Sequence, residues 1–117
     1  MPVDVIDLAE GKQRYGLLLN DEGGVIYDLM FFNKGHGDLF VIVNGACKEG
    51  DIAHIEAKIG DRCQVIPMPE MALLALQGPQ AVTALSRLAP GLEKQVFMTG
   101  DHFTVDVGTK IIHVFLT

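Results

Sequence analysis

The residue in this sequence best placed to do chemistry is an aspartate inside an apolar run. Asp28 stands in Val25-Ile26-Tyr27-Asp28-Leu29-Met30-Phe31-Phe32-Asn33, a stretch rich in β-branched and aromatic residues that reads as a strand. Alternation places Ile26, Asp28, Met30 and Phe32 on one face and Val25, Tyr27, Leu29 and Phe31 on the other. A carboxylate among such neighbours cannot stay unpaired, because burying it so costs roughly several kcal/mol. Either Asp28 caps a loop or pairs with a lysine, or it faces a polar ligand cavity, and the pattern alone leaves both open. Two further polar residues have the same double reading. Tyr15 precedes the first apolar run and is either a half-buried edge aromatic or a stacking wall for a flat ligand. Asn44 stands just before Gly45 and either makes an Asx turn or offers an amide donor and acceptor pair to a heterocycle.

Other chemistries find no support in the residue pattern. His36, His54, His102 and His113 show no i, i+4 metal pair and no cysteine at ligand spacing, so no metal is expected. Ser86 is the only serine and lacks the flanking glycines of a nucleophile elbow. Gly35-His36-Gly37 lacks the third glycine of a dinucleotide fingerprint, and a strand follows it instead of a helix. Cys47 and Cys63 form no C-x-x-C motif, and two cysteines are too few to staple a secreted scaffold, so both are expected as free thiols in the cytoplasm.

The elements that must hold Asp28, Tyr15 and Asn44 follow from periodicity. Gly16 to Asn20 and Val25 to Asn33 read as strands joined by Asp21-Glu22-Gly23-Gly24, where glycine supplies the positive φ of a tight reversal. Lys34-Gly35-His36-Gly37-Asp38 then turns the chain into a third strand, Leu39 to Val43, to complete an antiparallel meander. Ile52, Ile55 and Ile59 recur at helical spacing, with Gly60 placed to end the helix. Cys63 to Ile66 and Met71 to Leu76 read as strands linked around Pro67 and Pro69. Pro79 opens a second helix striped by Val82, Leu85 and Leu88 and stopped by Pro90-Gly91. Gln95 to Thr99, Phe103 to Val107 and Ile111 to Leu116 are three more candidate strands. The expected fold class is α+β, a mainly antiparallel sheet with two helices packed on one face.

With 117 residues the chain is one domain, and 49% hydrophobic residues place it among folded proteins. A net charge of −6 with scattered basic residues argues against nucleic acid as a partner. No apolar stretch approaches the length of a membrane span, and Met1-Pro2-Val3-Asp4 carries no export signal.

Three stretches resemble the aminomethyltransferase family, the T-protein of the glycine cleavage system. Tyr15-Gly16-Leu17-Leu18-Leu19-Asn20-Asp21-Glu22-Gly23-Gly24-Val25-Ile26-Tyr27-Asp28-Leu29 is similar to that family's tyrosine, strand and Asn-x-x-Gly-Gly-(Ile/Val)-Ile-Asp-Asp-Leu stretch. Val43-Asn44-Gly45-Ala46 resembles Val-Asn-Ala-Ala, and Leu74-Ala75-Leu76-Gln77-Gly78-Pro79 resembles Ala-(Leu/Val)-Gln-Gly-Pro. The resemblance runs from about Val3 to about Phe103.

It implies a folate-binding domain, one of three around a channel for tetrahydrofolate. The family's reaction takes an aminomethyl group from the lipoylated H-protein, releases ammonia and forms methylenetetrahydrofolate. Asp28 would be the acid that faces folate and is needed for turnover, Tyr15 and Asn44 would be pocket residues, and Met30 and Phe32 would extend the wall beside Asp28. Tyr27 departs from the pattern by replacing the first acid of the Asp-Asp pair, on the opposite strand face.

Residues 1–117 lack a Phe-Asp-Val-Ser-His-Met-like opening stretch. Thr109-Lys110-Ile111-Ile112-His113-Val114-Phe115-Leu116-Thr117 stands where the family has Ser-Arg-x-Gly-Tyr-Thr-Gly-Glu. The expectation is therefore an incomplete folate-binding domain, inactive alone, with exposed strand edges that favour self-association. The alternatives are a folate-binding or regulatory module of the same superfamily and a non-functional remnant.

Overall fold

The computed structural model describes residues 4–108 and 110–116, the last segment by its backbone apart from Lys110 and Val114. β1 (Gln13–Leu19), β2 (Val25–Gly35) and β3 (Asp38–Ile42) form a three-stranded antiparallel sheet in the order β1-β2-β3. α1 (Lys48–Ile59), α2 (Ala81–Leu85) and a 3-10 turn (Leu92–Lys94) follow, and β4 (Asp101–Asp106) pairs with β5 (Ile111–Leu116) as a separate antiparallel hairpin. The fold is α+β, as expected from the alternation of strand and helix periods.

The β1–β2 reversal is built by Asn20, whose side-chain oxygen accepts from the Gly24 backbone N–H at 2.6 Å while its own N–H donates to the Gly24 carbonyl at 2.9 Å. Gly23 takes φ 81°, which a side chain would resist there. The register that results sets Leu17 opposite Asp28 and Tyr15 opposite Met30. At the β2–β3 reversal Gly35, His36 and Gly37 all have positive φ, and the register sets Met30 opposite Ile42 and Phe32 opposite Phe40. The loop before β4 folds back on the start of β1. The Gln13 N–H donates to the Met98 carbonyl at 2.9 Å, and Lys12 and Thr99 make an isolated bridge.

The core lies on the Leu29 face of β2. Leu8, Leu18, Leu29 and Phe31 are buried together, and Val5 and Ile55 of α1 pack against them. α1 ends at Ile59 as the apolar spacing predicts. The Ile59 carbonyl is satisfied by the N–H groups of Arg62 and Cys63, both at 2.9 Å, so the last turn needs no left-handed glycine, and Gly60 stays right-handed.

Three expected strands do not form. Cys63–Ile66 and Met71–Leu76 form no regular secondary structure and lie outside any ladder among the described residues, and Gln95–Thr99 contributes only the Thr99 bridge. Alternation and β-propensity favour extended backbone, whereas a strand exists only where a neighbouring edge supplies hydrogen bonds. Among the described residues, no strand pairs with 63–66 or 71–76. Their apolar side chains face water as a result, with Leu74 91% and Leu73 70% exposed. α2 is shorter than its apolar stripe suggests, because the chain passes into turns after Leu85.

Candidate functional site

The meander brings Tyr15, Asp28 and Asn44 to one point. Tyr15 and Asp28 occupy the same face of adjacent strands, one diagonal step apart, since Asp28 pairs with Leu17 and Tyr15 with Met30. The Tyr15 hydroxyl donates a hydrogen bond to Asp28 Oδ2. Asn44, two residues beyond β3, returns its side-chain amide to the same residue. Nδ2 donates to the Asp28 backbone oxygen at 2.9 Å and to Oδ1 at 3.2 Å. Each oxygen of the carboxylate thus has its own donor, one from each neighbouring strand or its extension.

This arrangement explains how a carboxylate is tolerated mid-strand. Asp28 is only half-buried, and two neutral donors supply part of the hydration it loses. The interaction is visible from the phenol as well. The hydrogen bond to Asp28 raises the Tyr15 pKa above the usual tyrosine value, with desolvation and the Asp28 charge acting in the same direction. Because the native-state value is raised, this contact's contribution is complete below the ordinary phenol pKa and disappears as pH rises through the raised one. Ultraviolet titration in a Tyr27→Phe background, where Tyr15 is the remaining phenol, is therefore expected to show it ionising late, and Asp28→Asn to return it toward the usual range. A titration unchanged by the substitution would contradict the contact.

Met30 shares this strand face, lies directly opposite Tyr15 and Ile42, and is half-buried. Phe32, two residues further along, is 5% exposed beside Phe40 and Gln13. The face is therefore open at its Asp28 end, where Tyr15 is 51% exposed, and closed at its Phe32 end. Among the described residues, no group of three or more His, Cys, Asp or Glu is placed to hold a metal ion, and no helix is long and apolar enough to cross a membrane.

A second polar cluster was not singled out by sequence reasoning. Asp51, in the first turn of α1, is 1% exposed, and its Oδ2 has no hydrogen-bond partner among the described residues. It borders a cavity of about 630 Å³ together with Tyr27, Cys47 and His54. In sequence Asp51 reads as an ordinary solvated acid near a helix N-terminus, and nothing in its spacing reports its burial. Tyr27, on the opposite strand face from Asp28, has its phenol pKa raised first by the neighbouring Cys47 side chain, then by burial and by Asp28.

Comparison with known proteins adds to this geometry. The model of the GCVT N-terminal domain family matches residues 1–115. An aminomethyltransferase of Synechococcus sp. (strain CC9311) is 36% identical over 99 residues, covering 76% of this chain and 27% of that protein. The aminomethyltransferase of Geobacillus kaustophilus (strain HTA426) is 38% identical over 89 residues, covering 75% of this chain and 24% of its own. The human mitochondrial aminomethyltransferase is 34% identical over 102 residues, covering 82% and 25%. The chain spans about a quarter of the length of these relatives. No solved structure matches.

Proposed function

Because this chain belongs to the GCVT N-terminal domain family, we propose that it is the folate-facing part of an aminomethyltransferase, with Asp28 as its essential acid. The reaction proposed is transfer of the aminomethyl carbon from the lipoylated H-protein to tetrahydrofolate, with release of ammonia. The observation that carries this reading is the convergence of Tyr15 and Asn44 on the Asp28 carboxylate.

A carboxylate held by two donors keeps its orientation and directs negative potential toward the open end of the sheet face. There it would oppose positive charge developing on an iminium-like carbon and on the folate nitrogen that attacks it. That is preorganised electrostatic stabilisation with the sign the reaction needs. In this arrangement Tyr15 and Asn44 act through Asp28 as positioning residues, while the exposed ring of Tyr15 and the Met30 side chain offer apolar surface to a flat heterocycle. The two cysteines are free, in keeping with the reducing cytoplasmic setting proposed for the chain.

The isolated chain is expected to bind tetrahydrofolate feebly and to lack aminomethyl transfer. A pocket buries most of its ligand, and this sheet face offers one wall with an open end. An acid facing water also loses much of its electrostatic effect. Losing about half of the contacts weakens a micromolar ligand toward millimolar, at roughly 1.4 kcal/mol per tenfold. Calorimetric titration of the chain and of Asp28→Asn with tetrahydrofolate checks this. Feeble, equal heats are expected, whereas tight binding lost in the variant would show that the chain holds a complete pocket. The uncovered apolar side chains of Ile66, Leu73 and Leu74 also support self-association, which sedimentation at two concentrations would detect.

A further inference from the structure

We propose that the cavity between β2 and the first half of α1 is a binding site for a small primary ammonium group, with Asp51 as its counter-charge. The site is distinct from the folate-facing one, since none of Tyr15, Asp28, Asn44, Met30 or Phe32 lines the cavity. Two observations carry the proposal. Asp51 is almost wholly withdrawn from water, with one carboxylate oxygen unpartnered, an arrangement that costs several kcal/mol unless a proton or a cation compensates it, roughly. Beside it lies a cavity of about 630 Å³, large enough to admit a small organic molecule.

The lining identifies the ligand's chemistry. Tyr27 offers an aromatic ring, which attracts a cation through its π face. Cys47 and His54 add further polar side chains, and Glu49 adds a second carboxylate. Lys48 also borders the cavity, but no ion pair joins it to Asp51 among the described residues. A metal ion would need three or more ligands in fixed geometry, and no such group is present among the described residues. An ammonium needs only a counter-charge and a few acceptors, which this wall supplies.

Competition with protons follows from the same geometry. Burial and the nearby Asp28 charge hold the Asp51 carboxyl above its usual range, and His54 works in the other direction. The groups around Asp51 are Tyr27 and Asp28 from β2, and Cys47, Lys48, Glu49 and His54 from α1 and its entry. An ammonium pairs with the ionised acid, so its affinity falls as pH is lowered through the Asp51 titration.

Amide chemical-shift titration of the full chain with methylammonium chloride tests the site, with sodium chloride at equal ionic strength as the control. The expected result is saturable shifts at Cys47, Asp51 and His54 that sodium does not reproduce, with an apparent affinity at least about tenfold weaker in Asp51→Asn. A parallel titration with Nα-acetyl-lysine amide separates two sources of the same group. Tighter binding than methylammonium marks a lysyl side chain, and equal or weaker binding marks a free amine. Absence of saturable shifts with either probe, or equal affinity in Asp51→Asn, overturns the site. Should the variant lose the dispersed spectrum of a folded chain, a pH series on the unchanged chain decides. Affinity that does not change across the Asp51 titration also overturns the proposal.

Discussion

Phe31→Ala is expected to remove about 3–5 kcal/mol of stability, the usual cost of deleting a buried aromatic ring and leaving its cavity. Phe31 is 1% exposed and belongs to the cluster formed by Leu8, Leu18 and Leu29, against which Val5 and Ile55 pack. A domain of this size has about 5–15 kcal/mol in total, so the loss takes a large share. The site depends on it as well. Phe31 lies three residues beyond Asp28 on the opposite face of the same strand, and the same core holds α1 against the sheet through Ile55. Urea unfolding followed by circular dichroism measures the effect, and Phe97→Ala is the control because that ring is 89% exposed. Equal midpoints for the two variants would mean that the core is not organised around Phe31.

The second large effect is a pH dependence centred on Asp51. Its carboxyl is held above the ordinary carboxylate range, mainly by burial, with the Asp28 charge adding to the shift and His54 opposing it. In the interval between the ordinary and the raised value, the native state binds more protons than the unfolded chain. Stability therefore falls as pH rises through that interval, by about 1.4 kcal/mol for each unit of separation between the two values. The favourable situation exists below the ordinary value, and the full loss persists above the raised one. Asp21 works with the opposite sign, because its hydrogen bond and ion pair with Lys58 lower its pKa, so its contribution fades as pH drops. The two are separated by comparing the chain with Asp51→Asn over a pH series of denaturation curves. The amide cannot ionise, so the variant is expected to lose the decline assigned to Asp51 and to be more stable than the parent at neutral pH. Parallel curves for the two proteins would show that Asp51 does not titrate in this way.

Much of the site's framework is legible in the residues themselves. Asn20 through Gly24 encode a reversal of fixed length, and a strand repeats every two residues. Once that turn is set, Tyr15, Asp28 and Met30 must share a face. The helical spacing of Ile52, Ile55 and Ile59 likewise fixed α1 and its end.

Tertiary structure decided what local pattern does not encode. Asn44 reads in sequence as the start of a turn, and its backbone carbonyl does accept from the Cys47 N–H at 3.2 Å. Its amide reaches Asp28 only because β3 lies beside β2. Cys63–Ile66 and Met71–Leu76 have strand-like composition yet join no ladder among the described residues, since pairing depends on a neighbouring edge. Asp51 has the charge and position of a solvated helix residue, and its burial follows from the docking of α1. Periodicity is a property of the chain and determines which side chains share a face. Burial and hydrogen-bond partnership depend on which faces and edges meet, and these are settled only when elements distant in sequence pack together.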